Sequence, residues 1–172
     1  GSEGGLVFAL CSPKMIERIE KIDRFAPVIL DLKTTVQNSR LHQTLNTPSL
    51  STLFLVDAQL YWMLDNGGMS FCEQRCSDSS SQLYNWAINN ELTSPFVSDE
   101  KLRSVVSVTI DIDEKIDFEI VVAALRANGI VDCDPYRKLG KNQIRIATFP
   151  SVEPSDVSQL IKSLDYVFEQ IS

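Results

Sequence analysis

A single cation stands inside an apolar run, Ile144-Arg145-Ile146-Ala147-Thr148-Phe149-Pro150, entered from Gly140-Lys141-Asn142-Gln143. Ile144, Ala147 and Phe149 with β-branched Ile146 and Thr148 read as a short strand leaving a turn. A guanidinium on such a strand either points to solvent from an edge or meets an anion, because a desolvated, unpaired cation is strongly penalised. The planar fork of Arg145 suits a carboxylate held by two parallel hydrogen bonds. Asn46-Thr47-Pro48 is the second constellation. Thr47 suits a helix N-cap and Pro48 the first helical position, which leaves free N–H groups for an anion such as a phosphate. An ordinary cap has the same signature.

Other reactive side chains have weaker settings. Arg137-Lys138, with Lys141, is the closest approach to a basic patch and reads as a solvated turn. Cys72 and Cys76 are one helical turn apart, but His42 is the single histidine and no other pair has zinc-like spacing. The four cysteines, Cys11, Cys72, Cys76 and Cys133, therefore read as buried thiols. Asp111, Asp113 and Glu114 cluster at a strand end without further ligands and read as a solvated turn.

The elements that must position these groups follow from periodicity. Leu6 to Leu10 is a continuous apolar run, expected as an interior strand of a larger sheet. Ser12-Pro13 opens a helix carrying Met15, Ile16, Ile19 and Ile22, and residues 25–43 read as loop with short extended pieces. Thr47-Pro48 starts a helix whose broad stripe of Leu50, Leu53, Phe54, Val56, Leu60, Tyr61 and Leu64 ends at Asn66-Gly67-Gly68. A further helix runs from about Ser70 to Asn90, and Trp62 and Trp86 read as core anchors. The remainder reads β-α-β-β-α: strands at Val105–Ile110, Ile130–Cys133 and Gln143–Phe149, a helix from Asp117 to Asn128 closed by Gly129, and a last helix burying Val157, Leu160, Ile161, Leu164, Val167 and Phe168. That order implies a small α+β domain with two helices on one sheet face.

At 172 residues, 44% hydrophobic and 23% charged, the chain has the composition of a globular protein of one or two domains. A formal net charge of −7 argues against nucleic-acid and anionic-membrane partners, which need clustered Lys and Arg. No apolar stretch reaches bilayer-spanning length.

The stretch from Pro135 to Pro154 closely resembles the C-terminal segment of the phosphoserine aminotransferases of actinobacterial type, within the class V pyridoxal-phosphate aminotransferases. The likeness continues through Leu45-Asn46-Thr47-Pro48, Asn66-Gly67-Gly68, Asp78-Ser79-Ser80-Ser81, Thr93-Ser94-Pro95-Phe96-Val97 and Ala124 to Asp132, all in order. Gly1-Ser2-Glu3-Gly4-Gly5-Leu6 resembles the family sequence just after the Schiff-base lysine, although Gly1-Ser2 also suits a cloning remnant.

The resemblance implies an α/β fold of fold-type I: residues 1–75 as the end of the large cofactor-binding domain and 76–172 as the small C-terminal domain. It implies exchange of an amino group between glutamate and 3-phosphohydroxypyruvate in serine biosynthesis, giving phosphoserine, with a related reaction in pyridoxine biosynthesis. By the same resemblance Arg145 binds the substrate carboxylate, and Arg137 and Lys138 lie where basic residues help hold the substrate phosphate. Many members have a His-Arg pair there, which this chain lacks. Asn46 and Thr47 would touch the phosphate of pyridoxal 5'-phosphate held by the partner subunit of a homodimer, in the cytoplasm. No lysine here fits the Schiff-base role, so no catalytic residue is expected in this stretch, which should be inactive alone. Two rivals are another class V aminotransferase and a non-catalytic, ferredoxin-like amino-acid-binding module.

Overall fold

The computed structural model describes residues 4–171, so Gly1 to Glu3, part of the family-like opening, lie outside the described residues. The chain divides into two compact units, Gly1–Trp62 and Met63–Ser172.

In the first unit, Ser12 accepts a hydrogen bond from the Met15 N–H at 3.2 Å and Pro13 opens helix α1, Pro13–Lys21, as expected. A 3₁₀ turn follows at Val28–Leu30. The stretch read as loop contains helix α2, Leu32–Arg40. Asp31 makes this helix: its carboxylate accepts from the N–H groups of Lys33 (2.9 Å) and Thr34 (3.2 Å) and from the Thr34 hydroxyl (2.5 Å). Those bonds hold its pKa below the usual carboxylate value, with the Thr34 hydroxyl contributing most. Arg40 on α2 pairs with Glu20 on α1 at 3.6 Å, an exposed contact of little energetic weight.

Leu6 to Leu10 forms no strand, contrary to expectation. A strand is completed by a neighbour that takes its N–H and C=O groups, and among the described residues of this unit no strand lies beside it. Val7, Phe8 and Leu10 are exposed instead.

Helix α3, Leu50–Asp65, begins two residues later than Thr47-Pro48 suggested. The Leu53 N–H donates to the Ser49 carbonyl at 3.0 Å, and the Ser49 hydroxyl meets that of Thr52 at 2.8 Å, so Ser49 occupies the capping position. The expected apolar stripe is present, but Leu50, Phe54, Leu60, Tyr61 and Leu64 are exposed. Among the described residues of the first unit only Ile19 and Thr52 are buried, too small a core to offset the conformational entropy of so many ordered residues.

The second unit holds the core. Gly67 (φ +115°) and Gly68 (φ +65°) turn the chain from α3 into α4, Gly68–Asn89, the left-handed backbone that the Asn66-Gly67-Gly68 signal required. A three-stranded antiparallel sheet follows, in the order β1 (Thr93–Pro95), β2 (Ser107–Ile112), β3 (Gln143–Ala147). Between β2 and β3 runs α5, Phe118–Ala127, capped by Asp117 and closed by Gly129 at φ +83°. The last helix, α6, is Pro154–Ile171.

Val108, Ile110 and Ile112 of β2 and Ile144 and Ile146 of β3 form the inner face, packed with Leu83 and Ala87 of α4, Val121 and Leu125 of α5 and Leu160, Leu164 and Phe168 of α6. Three helices thus cover the sheet rather than two, because α4 turns its small-residue face (Cys76, Ser79, Ser80, Leu83, Ala87) inward. Trp86 anchors that contact as expected: its indole N–H donates to Asp165 at 2.6 Å, and its ring lies 5.8 Å from Phe168. Arg75 of α4 donates to the Pro150 carbonyl at 2.5 Å and pairs with Glu153, tying α4 to the segment after β3.

The strand order therefore reads β-β-α-β-α. Residues 93–95 supply a strand too short to show periodicity, and Ile130–Cys133 is not one. Asp132 has φ +63°, which breaks an extended run, so that segment gives β3 a single bond, Arg145 N–H to Cys133 C=O at 3.2 Å.

Candidate functional site

Alternation along the sheet fixes which residues share its outer face. Ile110 and Ile144 point into the core as cross-strand partners, so their neighbours Thr109 and Arg145, also partners, point outward. Asp111 pairs with Gln143 and Ser94 in the adjacent row. One step beyond β1, Phe96 donates its N–H to the Thr109 carbonyl at 3.1 Å and continues the row Phe96, Thr109, Arg145.

Arg145 is exposed, unlike the core isoleucines on either side of it. The penalty for a buried unpaired cation therefore does not apply, and the side chain is open to a ligand from solvent. Its guanidinium carbon lies 5.7 Å from the centre of the Tyr136 ring, an orientation that stabilises a planar cation without using its N–H donors. Among the described residues Arg145 has no ion pair.

The turn that carries Tyr136 also carries Arg137 and Lys138, both exposed. It is closed by Leu139 N–H to Tyr136 C=O at 2.9 Å, and Gly140 continues it at φ +64°. Lys141 leads away with its ammonium 4.8 Å from the centre of the Phe96 ring. Tyr136, Lys141 and Phe96 were not identified from sequence as parts of a site. Tyr136 lies within the family-like segment, but the pairing of rings with cations is a tertiary contact with no local signature.

Asn142 and Gln143 set the strand beneath this surface. The Asn142 amide donates to the carbonyls of Ile112 (3.0 Å), Asp113 (3.0 Å) and Ile116 (2.7 Å), and its side-chain oxygen accepts from Phe118 N–H at 2.9 Å. One side chain thus joins the end of β2, the following turn and the start of α5 to the root of β3. Gln143 is fully buried and donates to Asp111 at 2.5 Å. Its Oε1 is buried without a hydrogen-bond partner among the described residues.

Asn46 and Thr47 belong to the other unit, in the segment before α3, and both are exposed. The Thr44 hydroxyl donates to the Asn46 carbonyl at 2.6 Å, which leaves the Asn46 amide and the Thr47 hydroxyl facing outward as neutral donors. His42 is exposed with φ +58°. Asp113 caps its own turn by accepting from Lys115 N–H at 2.9 Å, and among the described residues no His, Cys, Asp and Glu group could hold a metal.

Cys72, Cys76 and Cys133 are buried free thiols as expected, whereas Cys11 is exposed, lying just after the apolar run that found no strand partner. Burial, helped by Asp134 and Asp132, pushes the Cys133 thiol up to about 11 from 9.0. The folded state then keeps a proton that the unfolded chain releases, so stability contributed by Cys133 is intact below pH ~9 and falls as pH rises toward ~11. The loss approaches about 2–3 kcal/mol at full ionisation. Denaturant midpoints measured from pH 8 to 11 should drop less in Cys133→Ala than in the parent.

Comparison with known proteins returns one family name repeatedly. The chain is 49% identical to the phosphoserine aminotransferase of Rhodococcus jostii (strain RHA1) over 173 residues, 99% of this chain and 46% of that protein. It is 48% identical to that of Corynebacterium glutamicum (strain R) over 171 residues, again 46% of the relative. The chain thus spans about half the length of the curated relatives it matches. No family model matches it.

Among solved structures, the phosphoserine aminotransferase of Cytophaga hutchinsonii superposes with a TM-score of 0.78 at 20% identity, covering 90% of this chain and 43% of that one. That of Bacillus circulans subsp. alkalophilus gives 0.78 at 20% identity, with 92% and 42% covered. The fold is therefore that of part of an aminotransferase, the α/β class expected, with a small antiparallel sheet.

Proposed function

We propose that this chain, a homologue of the phosphoserine aminotransferases across slightly under half their length, is the C-terminal part of such an enzyme and supplies its grip on the substrate carboxylate. Residues 1–75 would close the large domain and 76–172 would form the small one, with α4 packing on the small domain's sheet. The whole enzyme would move an amino group between glutamate and 3-phosphohydroxypyruvate, giving 2-oxoglutarate and phosphoserine. The observation that carries this reading is Arg145: a cation on an open sheet face, steadied by Tyr136 and without an ion pair among the described residues.

Pyridoxal phosphate, when bound, supplies the electron sink through which the amino group changes hands. The donor set of Asn46 and Thr47 fits one of its phosphate oxygens, as an amide and a hydroxyl free of internal partners can hydrogen-bond an anion without adding charge. In the family-like arrangement that phosphate belongs to the partner subunit, which makes the protein a homodimer. The exposed apolar side chains of α3, Phe54, Leu60 and Tyr61 among them, support a further covering surface. Among the described residues no helix is long and apolar enough to cross a membrane; a cytoplasmic location belongs to the proposal.

Within the site Arg145 orients the carboxylate by two parallel hydrogen bonds, so that the substrate's Cα is held at fixed distance and angle. Arg137 and Lys138, on the exposed turn beside it, add positive potential that attracts an anionic substrate. The proton-moving lysine must come from outside this stretch.

The deciding assay is 2-oxoglutarate formation from glutamate and 3-phosphohydroxypyruvate by the intact polypeptide carrying this segment. Turnover strongly favouring 3-phosphohydroxypyruvate over its unphosphorylated analogue is expected. Equal turnover of both would favour another aminotransferase of the same fold, and no turnover would defeat the proposal.

A further inference from the structure

Resting on the aminotransferase reading, we infer that Lys141, docked on Phe96, is the residue that recognises the phosphate of the substrate and so sets specificity at this site. Arg145 takes the carboxylate end. Both cations belong to one surface: Phe96, Thr109 and Arg145 form a row across the outer face of the sheet, and the Lys141 ammonium lies 4.8 Å from the Phe96 ring. Each is steadied by an aromatic ring, and neither has an ion pair among the described residues. A flexible lysine resting on a ring loses less freedom when it binds an anion than one waving in solvent.

The spacing suits a short dianion. Phe96 and Arg145 stand two strand spacings apart, about 10 Å. A three-carbon acid bearing a phosphate separates its acid groups by four bonds, roughly 5 Å. A charged hydrogen bond at each end adds ~3 Å. One ligand therefore reaches both cations, whereas serine, lacking the phosphate, reaches Arg145 alone.

The acid on this face does not compete for them. Asp111 is engaged by the Gln143 amide in the adjacent row. Its charge still opposes a dianion, so both cations are required to hold one. Gln143 Oε1, buried and without a partner among the described residues, marks the same row as incompletely satisfied by the chain itself.

The neighbouring basic residue is less well placed for this role. Arg137 lines an open pocket of about 580 Å³ that also includes Glu114, Asp117 and Glu119, acids that weaken its hold on an anion. Lys141 borders the same pocket, but its ammonium lies against Phe96, which is not part of that lining.

The test is calorimetric titration of this chain with O-phosphoserine and, separately, serine. Lys141→Gln should weaken phosphoserine about tenfold while changing serine less than twofold, and Lys141→Arg should restore most of the loss. Lys162→Gln, which removes the same charge from an exposed position on α6, should leave both ligands within twofold. Equal weakening of both ligands by Lys141→Gln, or no weakening of either, overturns the inference. So does loss of phosphate preference on Arg137→Ala with none on Lys141→Gln. Phosphoserine binding that needs Arg145 but survives Lys141→Gln overturns this inference and leaves the functional reading standing. A parent chain that binds neither ligand defeats both.

Discussion

Arg145→Gln weakens phosphoserine and serine alike, by about 30- to 1000-fold, because two charge-assisted hydrogen bonds are worth roughly 2–4 kcal/mol together. The change keeps a polar, strand-compatible side chain on an exposed position, so the fold is unaffected. Arg145→Lys recovers only part of the loss, since an ammonium is a point charge and cannot present two parallel donors. Binding to the chain and kcat/KM of the intact polypeptide should fall together. Loss of affinity for phosphoserine alone would mean that Arg145 contacts the phosphate, and the ends of the substrate would have to be exchanged.

The second large effect concerns stability. Asn142→Ala should cost about 2–4 kcal/mol, read as a lower denaturant midpoint at unchanged slope. The amide of Asn142 serves three carbonyls and its oxygen serves the first N–H of α5, so truncation leaves several partly buried backbone groups unpaired at once. Asn142→Asp should be no milder, because a carboxylate turns the donor end toward three carbonyl oxygens. As Asn142 precedes Arg145 by three positions, sub-denaturing conditions should also weaken serine binding in the variant before global unfolding. An Asn142→Ala protein as stable as the parent would show that the root of β3 is held by something else.

The sequence made the second unit largely readable because its signals are local. Asp117 and Gly129 bracket α5, Gly67 and Gly68 sit at left-handed positions, and the Val157, Leu160, Leu164, Phe168 stripe is the buried face of α6. Arg145 was legible for the same reason, one charge among β-branched residues. What escaped depends on partners distant in the chain. Leu6 to Leu10 has the composition of a buried strand but no neighbour beside it in its unit. Ile130 to Cys133 looks extended until Asp132 turns left-handed. Helix α2 has little apolar period and owes its start to the Asp31 carboxylate. In the site, Tyr136 and Lys141 are near Arg145 in sequence, yet only the folded sheet brings Phe96 into its row.

The most direct test is the side-chain NMR signal of the Arg145 Nε–Hε group, followed while phosphoserine is added to this chain. Carboxylate binding at the guanidinium predicts a saturable downfield shift of that proton, shared by serine and abolished in a chain lacking the Tyr136 turn's neighbour Arg145. A signal that stays at its free position while phosphoserine binding saturates elsewhere on the molecule would contradict the account.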